Sequence, residues 1–391
     1  MIDGWKKKSV GDIADVVTGK TPPTSDKTNY GDNLPFVSPA DLGAFKYISK
    51  SEKHLSEKGA KKARILPVGT SLFTCIGSTI GKVGLTAVDL TTNQQINAAI
   101  PKNGSVYEEY LYYALCDIAP RVKRIAGVQA VPIINKTEFE NQIIYLPANI
   151  SEQKAIATLL STWDEAIEKI ERLILAKEDY LKGQIQKLIS QRCDSWSHIK
   201  PKKIFDTITE KNFPDEELLS VTQDRGVIPR SMLEGRVMSP DGTTASYKLI
   251  KRGDFAISLR SFQGGIEYSN YQGIISPAYT VLRPKIELSS DFYRLFFKSY
   301  IFIEKYLNLA VIGIRDGKQI SIPDFLSIKI PVPPLEQQKE IAETLSVCQH
   351  EIDLLKQLAD KYKTQKRGLM QKMLTGEWRV KPEIVNQYRE A

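Results

Sequence analysis

The stretch Gly77-Ser78-Thr79-Ile80-Gly81-Lys82-Val83 comes nearest in this chain to a recognisable chemical device. Backbone amides between glycines, followed by a lysine, can cradle the phosphates of a nucleotide. That device needs four residues between its glycines and a Ser or Thr after the lysine to hold Mg²⁺. Here three residues separate Gly77 from Gly81 and Val83 follows Lys82, so spacing and metal ligand both fail. What remains is a glycine turn between strands, or a loop whose amides approach a DNA phosphate. Other chemistries fare no better. Methyl transfer would need a glycine-rich cofactor loop and a Pro-Pro-aromatic tetrapeptide, but Thr24 and Leu335 follow Pro22-Pro23 and Pro333-Pro334. Pro214-Asp215, Pro240-Asp241 and Pro323-Asp324 have no nearby Glu-x-Lys, as a nuclease would require, and read as turns. His54, His198 and His350 lie in separate segments, whereas a metal cluster needs closely spaced ligands. Cys75, Cys116, Cys193 and Cys348 fit neither a disulfide framework nor a zinc site, which points to a reducing cytoplasm. With no catalytic constellation, a binding role is favoured.

The chain of 391 residues is too long for one ordinary core and implies two or more domains. Charged residues at 26% and hydrophobic ones at 42% give an ordinary globular balance. No apolar run approaches the ~18–20 residues of a membrane span, so no membrane association is expected. Met1-Ile2-Asp3-Gly4-Trp5-Lys6 lacks the apolar stretch of a signal peptide. The formal charge is +8, of which residues 1–148 carry +4 and residues 194–332 carry +3. That excess permits an anionic partner without requiring one.

An internal repeat organises the chain. Ile150-Ser151-Glu152-Gln153-Lys154-Ala155-Ile156-Ala157 matches Leu335-Glu336-Gln337-Gln338-Lys339-Glu340-Ile341-Ala342 at an offset of 185. The offset holds without a gap to Lys182-Gly183-Gln184-Ile185-Gln186-Lys187-Leu188-Ile189 against Arg367-Gly368-Leu369-Met370-Gln371-Lys372-Met373-Leu374. Both copies step in fours and threes. The first seam runs Ile156, Leu160, Trp163, Ile167, Ile170, Ile174, Lys177, Leu181, Gln184 and Leu188. The second runs Ile341, Leu345, Cys348, Ile352, Leu355, Ala359, Tyr362, Lys366, Leu369 and Met373. A mostly apolar seam sustained over more than four heptads reads as coiled coil, and each narrow stripe needs the other copy as partner. Each helix would be about 60 Å long at ~1.5 Å per residue. Polar Lys177, Gln184 and Lys366 imply a looser or partner-dependent end. Two helices in an ordinary bundle remain the plainer alternative. Pro147 and Pro333-Pro334 mark the helix starts.

The rest repeats more faintly: Trp5 to Lys20 compares with Trp196 to Lys211, with Ile13/Ile204, Asp15/Asp206, Thr18/Thr209 and Lys20/Lys211 coinciding. Short β-branched runs alternate with Gly, Pro, Asn and Asp turns, and each half ends in a helical stretch, near residues 108–115 and 291–297. The expected fold class is α+β: two globular mixed α/β domains alternating with two long helices that pair as an antiparallel coiled coil, an internal pseudo-two-fold repeat. The expected boundaries are 1–148 and 194–332 for the globular domains, with 149–193 and 333–391 for the helical regions, the latter including a C-terminal tail.

These residues resemble the Type I restriction–modification specificity-subunit family, in which target-recognition domains alternate with helical regions. The first half carries the similar opening Trp5, Gly11-Asp12-Ile13-Ala14, Thr18-Gly19-Lys20-Thr21-Pro22-Pro23, Tyr30-Gly31-Asp32 and Pro35-Phe36-Val37-Ser38-Pro39-Ala40-Asp41-Leu42. Gly77-to-Gly84, Asn93-Gln94-Gln95-Ile96-Asn97, the Pro333-to-Ala342 helix entry and the Gly368-to-Gly376 exit continue it. The second half departs, with Leu218-to-Gln223 and Asp224-to-Arg230 in place of the Thr-Gly-Lys-Thr-Pro-Pro pattern, so it resembles another subtype of recognition domain. The resemblance implies a non-catalytic subunit that binds double-stranded DNA at an asymmetric split site. It also implies two methyltransferase subunits docked on the helical regions and restriction subunits in the full complex. S-adenosylmethionine, Mg²⁺ and ATP would belong to those partners, with no cofactor or metal in this chain. On this reading the helix length sets the spacing between half-sites.

Loop residues with basic or amide side chains are then the candidate DNA contacts. In the first half these are Lys20, Thr21, Ser78, Lys82, Arg124 and Gln129. In the second they are Arg225, Arg230, Arg260, Gln263, Arg315 and Lys318. The candidate coiled-coil interface comprises Ile156, Leu160, Trp163, Ile167, Ile170, Ile174, Leu181 and Leu188 with Ile341, Leu345, Ile352, Leu355, Tyr362, Leu369 and Met373. Two other readings stay open. One is a specificity subunit serving a fused methyltransferase–nuclease chain, and the other is a coiled-coil scaffold whose globular halves bind protein.

Overall fold

The computed structural model describes residues 4–43, 45–127, 132–233, 244–258, 265–313 and 319–389. Two compact units divide the chain, residues 1–173 with 356–391, and residues 174–355. Both long helices, Ile150–Ile185 and Leu335–Leu374, cross that boundary. Each unit therefore owns one globular head, the start of one helix and the end of the other, which is the α+β arrangement with antiparallel helices expected from the repeat.

The head of the first unit is layered. A sheet runs in the order Ala14–Thr18, Ile96–Pro101, Ser71–Thr74, Val83–Thr86, Tyr47–Ile48. A smaller sheet runs Lys53–Leu55, Tyr30–Val37, Leu90–Thr92, Ile65–Leu66. Val37, Leu42, Leu66, Leu72, Leu90, Ile96 and Ala98 form one buried cluster. A larger cluster joins Phe73, Val83 and Leu85 of the first sheet to the helix Glu108–Ile125 and to Ile156, Leu160 and Met373 of the long helices. The helix Glu108–Ile125 forms here because Tyr110, Leu111, Ala114, Leu115, Ile118 and Val122 recur on one face, all buried. Glu108 and Glu109 at its start and Lys123 and Arg124 at its end complement the helix dipole.

The head of the second unit repeats the main sheet in the same antiparallel order: Phe205–Ile208, Tyr279–Pro284, Phe255–Ser258, Glu267–Tyr268. Instead of a second four-stranded sheet it carries two pairs, Leu219–Thr222 with Gly226–Pro229 and Lys248–Ile250 with Gly273–Ile275. Its core is aromatic, with Phe205, Phe255, Phe292, Tyr293, Phe296, Phe297 and Phe302 all buried. Phe255 and Phe297 meet edge to face at 5.2 Å.

Each head is bound to its helix by the same two devices. The strand that opens the head pairs antiparallel with the strand that closes it, Trp5–Ser9 with Ile143–Pro147 and Ser197–Ile199 with Ile330–Val332. A buried glutamine then fastens the helix start. Gln153 donates to the Pro147 carbonyl at 2.8 Å and accepts from the Tyr107 amide at 2.8 Å. Gln338 donates to the Pro333 carbonyl at 2.8 Å and accepts from the Ser289 amide at 2.9 Å. Backbone groups buried at these joints thus find partners instead of being stranded.

Every position of the two predicted seams is buried or half-buried. Within the first unit Trp163 and Tyr362 meet edge to face at 5.4 Å, and Lys363 pairs with Glu171 at 2.7 Å. Within the second unit Lys177 pairs with Glu351 at 2.8 Å. The polar seam positions Lys177 and Lys366 are thus filled by ion pairs between the helices, Lys366 with Asp164. One detail shifts. The first helix ends in a π turn, Gln186–Ser190, which adds one residue to the cycle. Leu188 is consequently half-buried, while Ile189 is fully buried. After the second helix the tail folds back within the first unit: Arg379 clasps Glu152, and Ser151 donates to the Tyr388 carbonyl at 3.1 Å. Among the described residues no helix is long and apolar enough to cross a membrane.

Candidate nucleic-acid interface

A cleft of about 700 Å³ opens on the first head beside its smaller sheet. Thr21, Tyr30, Phe36, Ser38, His54 and Gln94 are among the residues lining it. Four stretches far apart in sequence meet there, and each is locked by its own local chemistry. Gly19 passes so close to the next strand that a Cβ would lie 2.1 Å from the Asn93 carbonyl, so only glycine fits. The Lys20 amide donates to Thr92, fixing the following turn at 2.9 Å. Pro22 and Pro23 are held by Tyr30, whose hydroxyl donates to the Pro22 carbonyl, and by buried Asn29, which donates to Pro23 at 2.9 Å. Asp41 closes the third wall, accepting from the Ser38 amide and hydroxyl at 2.8 Å each and from the Glu52 amide at 2.8 Å. The fourth wall is the turn Asn93-Gln94-Gln95, where the Asn93 side chain and Gln95 bond to each other.

The candidate contacts fall in different surroundings. Thr21 lines the cleft and its hydroxyl donates to Gln94 Oε1 at 2.5 Å. Lys20, next to it, is exposed. Ser78 is exposed on the glycine turn. Lys82 is half-buried, its stem lies against Gly43, and its ammonium donates to the Pro39 carbonyl at 3.0 Å. It thus braces the Ser38–Asp41 wall from behind. Arg124 is exposed in the last turn of Glu108–Ile125. In the second head Arg225 is exposed and donates to the Met232 carbonyl at 3.1 Å, beside the turn capped by Thr222. Arg230 is half-buried at the start of a 3₁₀ turn. Gln129, Arg260, Gln263, Arg315 and Lys318 lie outside the described residues.

Two polar clusters within the heads were not singled out from sequence. Lys46, at 5% side-chain exposure, pairs with Glu109 at 2.9 Å and donates to Ser161 of the first long helix at 3.1 Å. Its ammonium also lies 4.8 Å from the ring centres of Tyr47 and Tyr113. Glu109 accepts from the Tyr47 hydroxyl, and burial with this carboxylate raises the Tyr47 phenol well above its usual range. In the second head buried Asp254 binds Arg283 at 2.9 Å, so this arginine serves the fold. Among the described residues no group of three or more His, Cys, Asp or Glu is arranged to hold a metal ion.

Comparison with known proteins sets this architecture in context. Residues 2–177, and again 238–363, match the family described as Type I restriction modification DNA specificity domain. The MjaVIII specificity subunit of Methanocaldococcus jannaschii is 26% identical over 414 residues, covering 97% of this chain and 94% of that protein. The MjaIX specificity subunit of the same organism is 37% identical over 170 residues, 42% of this chain and 39% of that protein. A solved Type I restriction–modification S subunit from M. genitalium superposes with a TM-score of 0.57 at 18% identity, covering 95% of this chain and 96% of that one. A second solved chain, from a study of type I R-M complex assembly and conformational transition, gives 0.59 at 16% identity, with 95% and 98% covered. At these identities the two structures speak to the fold.

Proposed function

Since the chain belongs to the Type I restriction modification DNA specificity family, we propose that it reads an asymmetric bipartite DNA sequence and scaffolds methyltransferase and restriction subunits around that site. The specificity subunits of these systems are their non-catalytic members. The duplication of head and helix within one chain carries this reading, because two DNA-reading heads ask for two half-sites. The heads differ, one with a second four-stranded sheet and the other with two strand pairs, which supports half-sites of unlike sequence. Lysine and arginine contacts to phosphates would set register while side chains in the grooves read base edges. The helical pair is the spacer, so the unread DNA between half-sites follows its length, as dimer geometry sets half-site spacing elsewhere. Two methyltransferase subunits dock on the helical regions, and S-adenosylmethionine, Mg²⁺ and ATP act on those partners and the restriction subunits. The complex works in the cytoplasm.

Co-expression with a methyltransferase subunit encoded beside this chain, followed by mapping of methylated bases, tests the reading. A two-part motif with a fixed gap is the expected result, and a contiguous motif overturns it. A protein-binding scaffold would bind DNA weakly and without steep salt dependence, whereas phosphate-dominated binding weakens linearly in log–log form with salt.

A further inference from the structure

The cleft on the first head contains one exposed amide whose orientation is already set. Gln94 stands at the tip of a turn, and its Oε1 accepts the Thr21 hydroxyl at 2.5 Å. Thr21 is in turn fixed by the glycine approach at Gly19 and by the anchored prolines behind it. An exposed glutamine usually rotates freely, and a free rotor carries little information. Here the Thr21 hydroxyl occupies one lone pair of the amide oxygen, which restricts that rotation and leaves the second lone pair and both Nε2 hydrogens available. A donor and an acceptor side by side in one plane form the pattern that complements adenine, whose N6 donates and N7 accepts in the major groove. The surroundings suit a base more than a lone phosphate, because the rings of Tyr30 and Phe36 line the same cleft and meet edge to face at 6.4 Å. Lys20 and Lys53 are exposed at its margin and carry no ion pair among the described residues, so cations for the flanking backbone are at hand.

We infer that this cleft is a base-reading site, in which Gln94, oriented by Thr21, recognises an adenine in the half-site read by the first head. The inference rests on the DNA-reading function proposed above and adds the residue, the base and the half-site.

The test uses the whole complex of this chain with its methyltransferase subunits and maps the methylated motif for each variant. Gln94→Ala should relax one adenine position in one half-site, lowering its discrimination about 10- to 100-fold. Every other position, including the whole second half-site, should keep its preference. Gln94→Glu retains an acceptor for Thr21 but presents only acceptors outward, so that same position should shift towards cytosine, whose N4 donates. Thr21→Val should weaken the same position and no other. Uniform loss across all positions assigns Gln94 to a phosphate or to the fold and overturns the inference. An unchanged motif also overturns it. If the unaltered complex gives a contiguous motif, the underlying two-head reading fails first, and the outcome is distinguishable because no variant is then needed to see it.

Discussion

Lys366 and Asp164 form an ion pair between the two long helices at the foot of the first head. The second carboxylate oxygen of Asp164 accepts the Tyr113 hydroxyl at 2.6 Å, and the Lys366 ammonium lies 5.2 Å from the Tyr113 ring centre. Three elements, two long helices and the head's own helix, thus share one partly buried charge pair. Burying half of such a pair is costly, because the carboxylate left behind has lost its water as well as its partner. Lys366→Ala should destabilise the first unit by about 2–3 kcal/mol, below the range for a fully buried pair because both side chains retain some exposure. Lys366→Leu with Asp164→Asn should recover most of that loss, since leucine suits the seam and asparagine still bonds Tyr113. Thermal melts of the three proteins decide it: equal damage in both variants would remove the charge pair from the explanation.

Gln153 and Gln338 make a paired prediction. Replacing either with leucine strands a buried carbonyl and a buried amide, and should cost about 2–4 kcal/mol in its own unit. Hydrogen exchange should show new opening at the Tyr107 amide for Gln153→Leu and at the Ser289 amide for Gln338→Leu. Opening in both units from one substitution would contradict the independence of the two joints.

The spacer function predicts a change of length without a change of letters. Inserting one heptad into each long helix at facing positions adds about 10 Å, or roughly 3 base pairs at ~3.4 Å each. The methylated motif should keep both half-sites and gain that spacer. Altered half-site bases with an unchanged gap would dismiss the helices as spacer.

Three cysteines should be inert in the folded protein. Burial pushes the thiols of Cys75 and Cys116 up to about 12 and that of Cys193 to about 11. The thiolate is the reactive form, so near pH 8 these groups stay protonated, and Cys75 and Cys193 are buried as well. Intact-mass measurement after iodoacetamide should find labelling confined to Cys348 until denaturant is added. Early labelling of Cys75 would show that the first head opens more readily than its core implies.

Asp117 should leave a pH signature. Burial raises its carboxyl above the usual range, with the nearby Arg121 opposing. A carboxyl with a raised folded-state value favours folding while protonated, and that contribution is lost as pH rises through the folded-state value. Asp117→Asn should therefore raise Tm by about 1–3 °C near neutrality, with the gap closing below about pH 4. A gap that stays constant across that range would rule out titration as its cause.

How much of this was legible in the sequence depended on the range of the determining contacts. The long helices were plain because a heptad states its period locally and the 185-residue offset states it twice. The two-sheet build of the first head was not, because strands as short as Ile65–Leu66 and Tyr47–Ile48 carry no period of their own. Gln153 and Gln338 sat inside the matched stretches, and identical polar residues at the repeat offset were a usable signal of a shared buried joint. Lys82 shows the opposite case. Its glycine-rich neighbourhood suggested an outward loop, but its partner, the Pro39 carbonyl, lies 43 residues away and leaves no local trace. The cleft belongs to this second kind, since Thr21 and Gln94 are 73 residues apart and only the fold joins them.

The π turn at Gln186–Ser190 gives the first helix a length of slack. Upstream of it, removing one residue would rotate everything that follows by about 100° and turn the seam away from its partner. Within it, removing one residue would merely tighten the coil to ordinary pitch and leave Ile189 where a seam residue belongs. The first helix thus ends in a place where a single codon could be lost without turning its seam out of phase, and the second helix, α-helical from Leu335 to Leu374, has no counterpart.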